Sequence, residues 1–148
     1  MSDPVLLDTN VLVYAEDNSE PAKRDTARHL MEHLVAERQA VLTAQVCAEF
    51  YSVVTRRFRQ SLGDQEVAAR IGMFAELMPV LDTSLAVILE ALRGVLRYKM
   101  SYYDAQIWAA ARLNGIGTVL SEDFQNGQEI EGVRFMDPFA EGFDPEVL

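Results

Sequence analysis

Four acidic residues stand where the sequence would otherwise be apolar or where a buried element should end. Asp8 interrupts the apolar segment from Pro4 to Tyr14, in which Val-Leu-Leu runs directly into Asp-Thr-Asn. Asp123 follows a second strand-like segment, whereas Glu49 and Asp104 fall within helical patterns. A buried ionised carboxylate is costly unless it is paired, protonated or bound to a metal ion. If these four groups meet in one cleft, they form a site for a divalent cation.

Each of these four acids, considered alone, could have a purely structural role instead of a role in a cation site. Asp104 falls inside the arc of its helix that should be apolar, yet it also completes a Ser-x-x-Asp capping box that begins at Ser101. These two roles are compatible, because a carboxylate in the first turn of a helix can face a cleft. Glu49 lies at the edge of its buried stripe, where a glutamate is usually solvated. Asp8 and Asp123 could be turn formers or helix caps.

The fourth acid has a competitor in the neighbouring residue. Ser121 and Asp123 are two residues apart, so they point the same way if the extended conformation continues, with Glu122 opposite. This favours Asp123 as the inward acid, but either residue could serve.

Oxygen ligands without histidine suit hard cations, so the expected cofactor is Mg²⁺ or Mn²⁺, as one or two ions. Such ions lower the pKa of water and stabilise charge on a phosphodiester during in-line displacement. The chain has 23 acidic and 13 basic residues and a net charge of −10. Because nucleic-acid-binding proteins are normally basic, a cation-dependent site is one explanation for how so acidic a chain could bind a phosphodiester.

The chain of 148 residues, 49% of them apolar, fits one compact domain over residues 1–148. No apolar run approaches the roughly 18–20 residues that would span a membrane. We also recognise no basic leader, and the single cysteine, Cys47, excludes an internal disulfide. These features favour the cytoplasm and no membrane partner.

Short apolar runs alternate with helical patterns along the chain, which predicts an α/β fold with a central, mainly parallel sheet. Asp64 and Thr83 are the expected caps of two of the helices. Ligands of such sheets bind beyond the carboxyl ends of the strands, where Asp8 and the segment 121–123 lie. The predicted strands are 4–8, 40–43, 79–81, 117–121 and 133–136, and the predicted helices are 21–38, 45–58, 64–77, 83–99 and 101–114.

The ordered set of motifs resembles the PIN-domain ribonucleases, and specifically the VapC-like toxins of type II toxin–antitoxin systems. The motifs are Asp-Thr-Asn at 8–10, the acid at Glu49, Tyr-Tyr-Asp-Ala at 102–105 and Leu-Ser-Glu-Asp-Phe at 120–124. The resemblance covers nearly the whole chain. It implies a three-layer α/β/α sandwich and a metal-dependent endoribonuclease that leaves a 5′-phosphate and a 3′-hydroxyl.

The resemblance also implies a role for each matching residue. The metal ligands and catalytic acids would be Asp8, Glu49, Asp104 and Asp123. Thr9 or Ser121 would offer a hydroxyl to the metal shell, and Asn10 would stabilise the turn below Asp8. The family's toxins commonly form homodimers, and a small antitoxin protein fills the cleft that would otherwise take RNA.

Further patterns in the sequence have both a structural and a functional interpretation. Arg56, Arg57 and Arg59 end a helix, where cations are favourable in any case, but they could also bind substrate phosphates. The segment His29–His33 matches the inverted zinc-protease motif His-x-x-Glu-His, yet both histidines should face solvent.

Asp8-Thr9-Asn10 is also similar to the opening of haloacid-dehalogenase-like phosphatases, although asparagine replaces their second aspartate. A non-catalytic PIN-fold module that only binds RNA or protein is the other alternative. A retained set of mutually repelling acids argues against it.

Overall fold

A six-stranded sheet forms the centre of the computed structural model, which describes residues 2–148. The strand order is β3-β2-β1-β4-β6-β5, and every pairing is parallel except that of β5 with β6. Helices cover the sheet in a three-layer α/β/α sandwich, which confirms the predicted fold class. The strands are β1 (Val5–Leu7), β2 (Ala40–Thr43), β3 (Val80–Leu81), β4 (Thr118–Leu120), β5 (Glu129–Ile130) and β6 (Val133–Met136).

Six α-helices connect the strands, and a short 3₁₀ helix ends the chain at Pro145–Val147. None of the helices in residues 2–148 combines the length and the apolar character that a membrane crossing would need. The helices are α1 (Thr9–Tyr14), α2 (Pro21–Ala36), α3 (Ala44–Arg57), α4 (Asp64–Leu77), α5 (Leu85–Tyr98) and α6 (Tyr102–Leu113).

The central strand β1 is buried along its whole length, as expected for a parallel strand covered on both faces. The chain leaves β1 toward β2 on one side, and β4 lies on the other side. Leu7 is in register with Leu120, so β1 and β4 end at the same edge of the sheet. This is the point at which open α/β sheets bind their ligands, because the two connections diverge and leave a crevice.

Close packing of α5 against α6 fixes the helix that carries Asp104. Gly94 lies so near the Trp108 ring that a Cβ atom there would stand 2.8 Å from Cζ3. The ring is fully buried. Its indole N–H donates to the carbonyl of Ile130 at 3.0 Å, which satisfies the polar atom.

Most predicted elements are confirmed within two residues, but three elements were missed. These are α1, β5 and the 3₁₀ helix. Two caps also differ by one position. Ser84, not Thr83, accepts the hydrogen bond that begins α5, and Gly63 precedes α4, which begins at Asp64.

Candidate active site

Asp8 lies at the end of β1 and caps the first turn of α1. Its Oδ1 accepts from the backbone N–H of Thr9 at 2.7 Å, and its Oδ2 accepts from the hydroxyl of Ser121 at 2.7 Å. Its own N–H donates to the carbonyl of Leu120. The carboxylate is therefore buried, oriented by the start of α1 and by the residue after β4, and bonded only to neutral donors.

The Ser121 hydroxyl makes three hydrogen bonds at the end of β4. It donates to Asp8, and its oxygen accepts from Asn10 Nδ2 at 3.0 Å and from the N–H of Asp123 at 3.1 Å. Asn10 also accepts from the N–H of Glu122 at 3.3 Å. Asn10 thus joins the β1–α1 turn to the segment after β4. Its contacts extend beyond the turn at Asp8 to which the resemblance had assigned it.

Glu49 lies on α3 and faces the same edge of the sheet. Its Oε2 accepts from the hydroxyl of Thr9 at 2.8 Å, and its Oε1 accepts from Gln45 at 3.0 Å. Gln45 also donates to the carbonyl of Tyr103 at 3.2 Å, which ties α3 to the start of α6. Sequence reasoning missed Gln45, although its position one turn before Glu49 on the same helix is a usable signal.

Asp104 is half-buried in the first turn of α6. The Ser101 hydroxyl accepts from its N–H at 3.4 Å, as the capping-box interpretation requires. Burial raises the pKa of the Asp104 carboxyl, the hydrogen bond with Ser101 opposes this, and the charges of Asp123 and Glu49 raise it further. Asp104 therefore lies in the first turn that Ser101 caps, and it also belongs to the acidic group.

The four acids interact electrostatically at this edge. Burial raises the pKa of Asp8 to about 6, against the opposing hydrogen bonds from Ser121 and Thr9, and the charges of Asp123 and Glu49 add to the increase. Asp8 and Asp104 thus respond to the same two neighbours. Carboxylates that raise one another's pKa are stabilised by a nearby cation.

Glu122 and Asp123 differ sharply in their surroundings. Glu122 accepts from the Tyr14 hydroxyl and forms an ion pair with Lys23 at 3.0 Å. Asp123 is exposed and has no ion pair among residues 2–148. Both residues line the same cleft, but Glu122 is paired with a cation, whereas the charge of Asp123 acts on Asp8 and Asp104. Sequence reasoning missed Tyr14 and Lys23.

A cleft of about 260 Å³ opens beside these acids. Arg57 lines it and forms a 3.5 Å ion pair with the buried Asp17. Arg56 and Arg59 instead line a separate groove, so the three arginines do not act on one surface. The residues that line the acidic cleft are Thr9, Asn10, Val13, Tyr14, Glu49, Val53, Arg57, Glu122 and Asp123.

The acidic group is not a closed metal cage. In the described part of the chain, no three His, Cys, Asp or Glu side chains are arranged so that they could hold a metal ion. The donors are nevertheless all oxygens, and the charges on Asp8, Asp104 and Asp123 have no Lys or Arg partner in residues 2–148. This chemistry fits a hard divalent cation that keeps part of its water shell.

The two histidines lie on α2, away from this cleft. His29 is exposed, as predicted. His33 is half-buried beside the C-terminal segment, with its Nδ1 3.7 Å from Glu146, which corrects the expectation that it faces solvent. The motif His29–His33 therefore lines a groove with the C-terminal segment and lies outside the acidic group.

The six-stranded, mainly parallel sheet carries acids at the carboxyl edge of its central strands, and comparison with known proteins identifies the family. The PIN domain model matches residues 5–125. The chain belongs to the PIN domain family, and not to the haloacid-dehalogenase-like phosphatases.

Solved structures with the same fold include three toxin–antitoxin proteins. VapC20 of Mycobacterium tuberculosis, a sarcin-ricin loop cleaving toxin, is 20% identical with a TM-score of 0.65, and the alignment covers 88% of this chain and 98% of that chain. A toxin–antitoxin complex from Klebsiella pneumoniae is 20% identical with a TM-score of 0.67, covering 91% and 98%.

The third is VapBC2 from Rickettsia felis bound to a promoter DNA fragment, which is 20% identical with a TM-score of 0.64, covering 90% and 97%. At these identities the likeness establishes the fold alone. No curated protein matches the chain in a sequence search.

Proposed function

We propose that this PIN-domain protein is a metal-dependent endoribonuclease that hydrolyses phosphodiester bonds in RNA. The observation that carries the proposal is the hydrogen-bonded network at the edge where β1 and β4 end. Ser121 bonds to Asp8 and to the N–H of Asp123. Thr9 bonds to Glu49, and Gln45 joins Glu49 to the start of α6, the helix that carries Asp104. These acids come from four distant segments and have no cationic partner in residues 2–148. A binding module has no need for such repelling groups.

The proposed cofactor is Mg²⁺ or Mn²⁺, as one or two ions. Mg²⁺ in proteins usually keeps several waters and is bound by one or two carboxylates together with substrate phosphates. An open arrangement of carboxylates is therefore sufficient. Asp8 and Asp104 would hold the principal ion, and Asp123 would complete the shell or bind a second ion. A bound ion would supply Lewis-acid stabilisation of the phosphodiester and lower the pKa of water.

The chain's own groups then orient the reaction. Glu49 is held by Thr9 and Gln45, so its carboxylate is placed to orient water or to accept a proton from it. Thr9 and Ser121 use their hydroxyls to orient Glu49 and Asp8, which supports a positioning role in place of direct metal ligation. The expected products carry a 5′-phosphate and a 3′-hydroxyl.

Arg57 is the proposed contact for a substrate phosphate. Its side chain is half-exposed and lines the acidic cleft, and it forms an ion pair with the buried Asp17. Arginine binds phosphate well because its planar guanidinium offers several N–H donors. A single cation in this position would offset part of the repulsion between the acidic surface and RNA.

The proposed biological role is the toxin of a toxin–antitoxin pair that acts on cytoplasmic RNA. Membership of the PIN family supports it, as do fold neighbours described as toxins or toxin–antitoxin complexes. A small antitoxin protein would occupy the acidic cleft and exclude RNA. A homodimer would cover the exposed leucine stripe of α5, which consists of Leu85, Leu89, Leu92 and Leu96.

The direct test is cleavage of mixed RNA by purified protein with Mg²⁺, Mn²⁺ or EDTA. We expect cleavage with either ion, none with EDTA and a loss of at least about 100-fold in Asp8→Asn, since Asp8 is the central acid. Cleavage that persists in EDTA would overturn the metal model. RNA binding without cleavage in any condition would instead favour the non-catalytic alternative.

A further inference from the structure

Both carboxylate oxygens of Glu122 are held by residues near the start of the chain. The Tyr14 hydroxyl donates to Oε1 at 2.5 Å, and the Lys23 ammonium donates to Oε2 at 3.0 Å. Lys23 also donates to the Tyr14 oxygen at 3.3 Å. These three side chains form one network, hereafter the Glu122 clamp, which neutralises the charge of Glu122.

Lys23 occupies a position that local helix energetics do not favour. It lies in the first turn of α2, where the helix dipole favours anions and opposes cations. Its ammonium is 4.7 Å from the centroid of the Tyr14 ring and 5.7 Å from that of Phe139, and the two rings pack edge to face. Cation–π contacts and the ion pair with Glu122 therefore hold the lysine here.

Asp123 has the opposite environment, although it is the next residue. Its N–H is fixed by Ser121, but its carboxylate has no salt bridge among residues 2–148. The segment from Ser121 to Asp123 is thus anchored by Ser121 and by the Glu122 clamp, and its one uncompensated charge is that of Asp123.

We propose that Lys23 and Tyr14 are positioning residues that hold Glu122 out of the metal shell, leaving Asp123 as the fourth acid. This inference rests on the proposed function, because it concerns the same metal site. It predicts that Glu122 contributes to metal binding only when Lys23 no longer holds and neutralises it.

Equilibrium Mn²⁺ binding, measured by calorimetry without RNA, tests the inference on folded protein. Lys23→Met with Glu122→Gln removes one charge of each sign, so we expect Mn²⁺ affinity within about threefold of wild type. Asp123→Asn should weaken it about tenfold or more, in the range seen when a metal's supporting groups are lost. Lys23→Met alone should raise the affinity about fivefold or more, because the released Glu122 carboxylate adds an unpaired negative charge and a further oxygen ligand to the site.

Lys23→Arg is the matched control, since it keeps the ion pair and should bind Mn²⁺ like wild type. The inference is overturned if the double variant is as weak as Asp123→Asn, because Glu122 would then be a ligand. It is also overturned if Lys23→Met alone behaves like wild type. Circular dichroism verifies that each variant is folded, and Tyr14→Phe provides a second, smaller disruption of the clamp.

Failure of this inference can be distinguished from failure of the proposed function. If wild type binds Mn²⁺ and cleaves RNA but the double variant is weak, only the assignment of Glu122 is wrong. If wild-type protein binds no Mn²⁺ and cleaves no RNA, the proposed function and this inference are overturned together.

Discussion

The hydroxyl of Ser121 donates to Asp8 Oδ2 at 2.7 Å, across the boundary between β4 and β1. The two residues are 113 positions apart in the chain, yet parallel pairing of the two strands brings their carboxyl ends together. The same oxygen also accepts from Asn10 and from the N–H of Asp123. One buried hydroxyl therefore orients both strand-end acids of the candidate site.

Ser121→Ala should weaken Mn²⁺ binding and RNA cleavage by about 10- to 100-fold, because it removes a group that orients two proposed ligands. The substitution also leaves Asn10 Nδ2 without its partner. Calorimetry with Mn²⁺ and initial rates of RNA cleavage measure the two effects.

Ser84→Ala is the matched control, because Ser84 also uses its hydroxyl to hold a backbone N–H, but at the start of α5. It should cost about 1 kcal/mol of folding free energy through the lost cap and leave metal binding unchanged. Equal effects of the two substitutions on Mn²⁺ affinity would contradict the role given to Ser121.

The raised pKa of Asp8 predicts a pH-dependent stability of the metal-free protein. The folded-state pKa is about 6 and the ordinary value is 3.8, so the folded state binds the proton more tightly. Protonation of Asp8 therefore stabilises the folded state. This contribution is complete below about pH 4 and is lost as the pH rises through about 6. Asp8→Asn removes the titration and should flatten the profile in this window.

Urea unfolding in EDTA at several pH values from 4 to 7 measures this effect. The free energy of unfolding of wild type relative to Asp8→Asn should rise by on the order of 2 kcal/mol as the pH falls across the window. Asp3→Asn, at an exposed carboxylate, should keep the wild-type profile. A difference between wild type and Asp8→Asn that does not vary with pH would contradict the assignment.

The strand-end acids could be predicted from sequence because two regular patterns constrain them. Short buried strands alternating with helices indicate a parallel sheet, and parallel strands end at a shared edge. Asp8 and Asp123 follow such strands, and helical phase predicted that Asp104 lies within the inward arc of its helix, where it is half-buried. Glu49 was less constrained, since a position at the edge of a stripe is compatible with both solvent and cleft.

Other features of the structure leave no periodic pattern in the sequence from which they could be predicted. The pairing of Lys23 with Glu122 joins residues 99 positions apart, and only the tertiary arrangement creates it. Helix α1 was missed because its six residues continue an apolar run that began as a strand, and short apolar runs do not distinguish the two structures. The C-terminal segment partly covers His33, and because most of that segment has no regular secondary structure, no periodic pattern in the sequence predicts this contact.

Arg57→Gln should weaken RNA binding about three- to tenfold and lower its salt dependence by roughly one phosphate contact, because Arg57 lines the acidic cleft. Arg56→Gln and Arg59→Gln are matched controls in the neighbouring groove and should change binding less than about twofold. Fluorescence anisotropy of a labelled oligoribonucleotide at several salt concentrations makes the comparison. Equal effects of all three substitutions would indicate a shared basic surface.

The leucine stripe of α5 predicts a dimer that charge can disrupt. Its four leucines recur at intervals of four, three and four residues and are 44–83% exposed. This spacing gives one continuous apolar face, as in helices that pair with a second helix. Leu89→Glu with Leu96→Glu should convert a wild-type dimer into a folded monomer.

Sedimentation equilibrium measures the mass of each form, and Leu77→Glu on α4 is the control at another exposed leucine. A monomeric wild type would remove the dimer from the proposal. A dimeric double variant would place the interface elsewhere.

Two helical glycines should respond to alanine with opposite signs. A Cβ at Gly94 would lie 2.8–2.9 Å from two carbons of the Trp108 ring, which is buried and cannot move aside. A Cβ at Gly72, in the exposed part of α4, would meet nothing within 4 Å. Gly94→Ala should therefore lower the free energy of unfolding by about 1–3 kcal/mol through overpacking. The higher helix propensity of alanine offsets part of this loss.

Gly72→Ala should raise the free energy of unfolding by about 0.5–1 kcal/mol, because alanine favours the helix and restricts the unfolded chain. Urea unfolding of both variants at one pH gives the comparison. Because α6 carries Asp104 and packs on Gly94 through Trp108, Gly94→Ala should also lower Mn²⁺ affinity, whereas Gly72→Ala should not. Stabilisation by both substitutions would show that the α5–α6 contact is looser than the distances indicate.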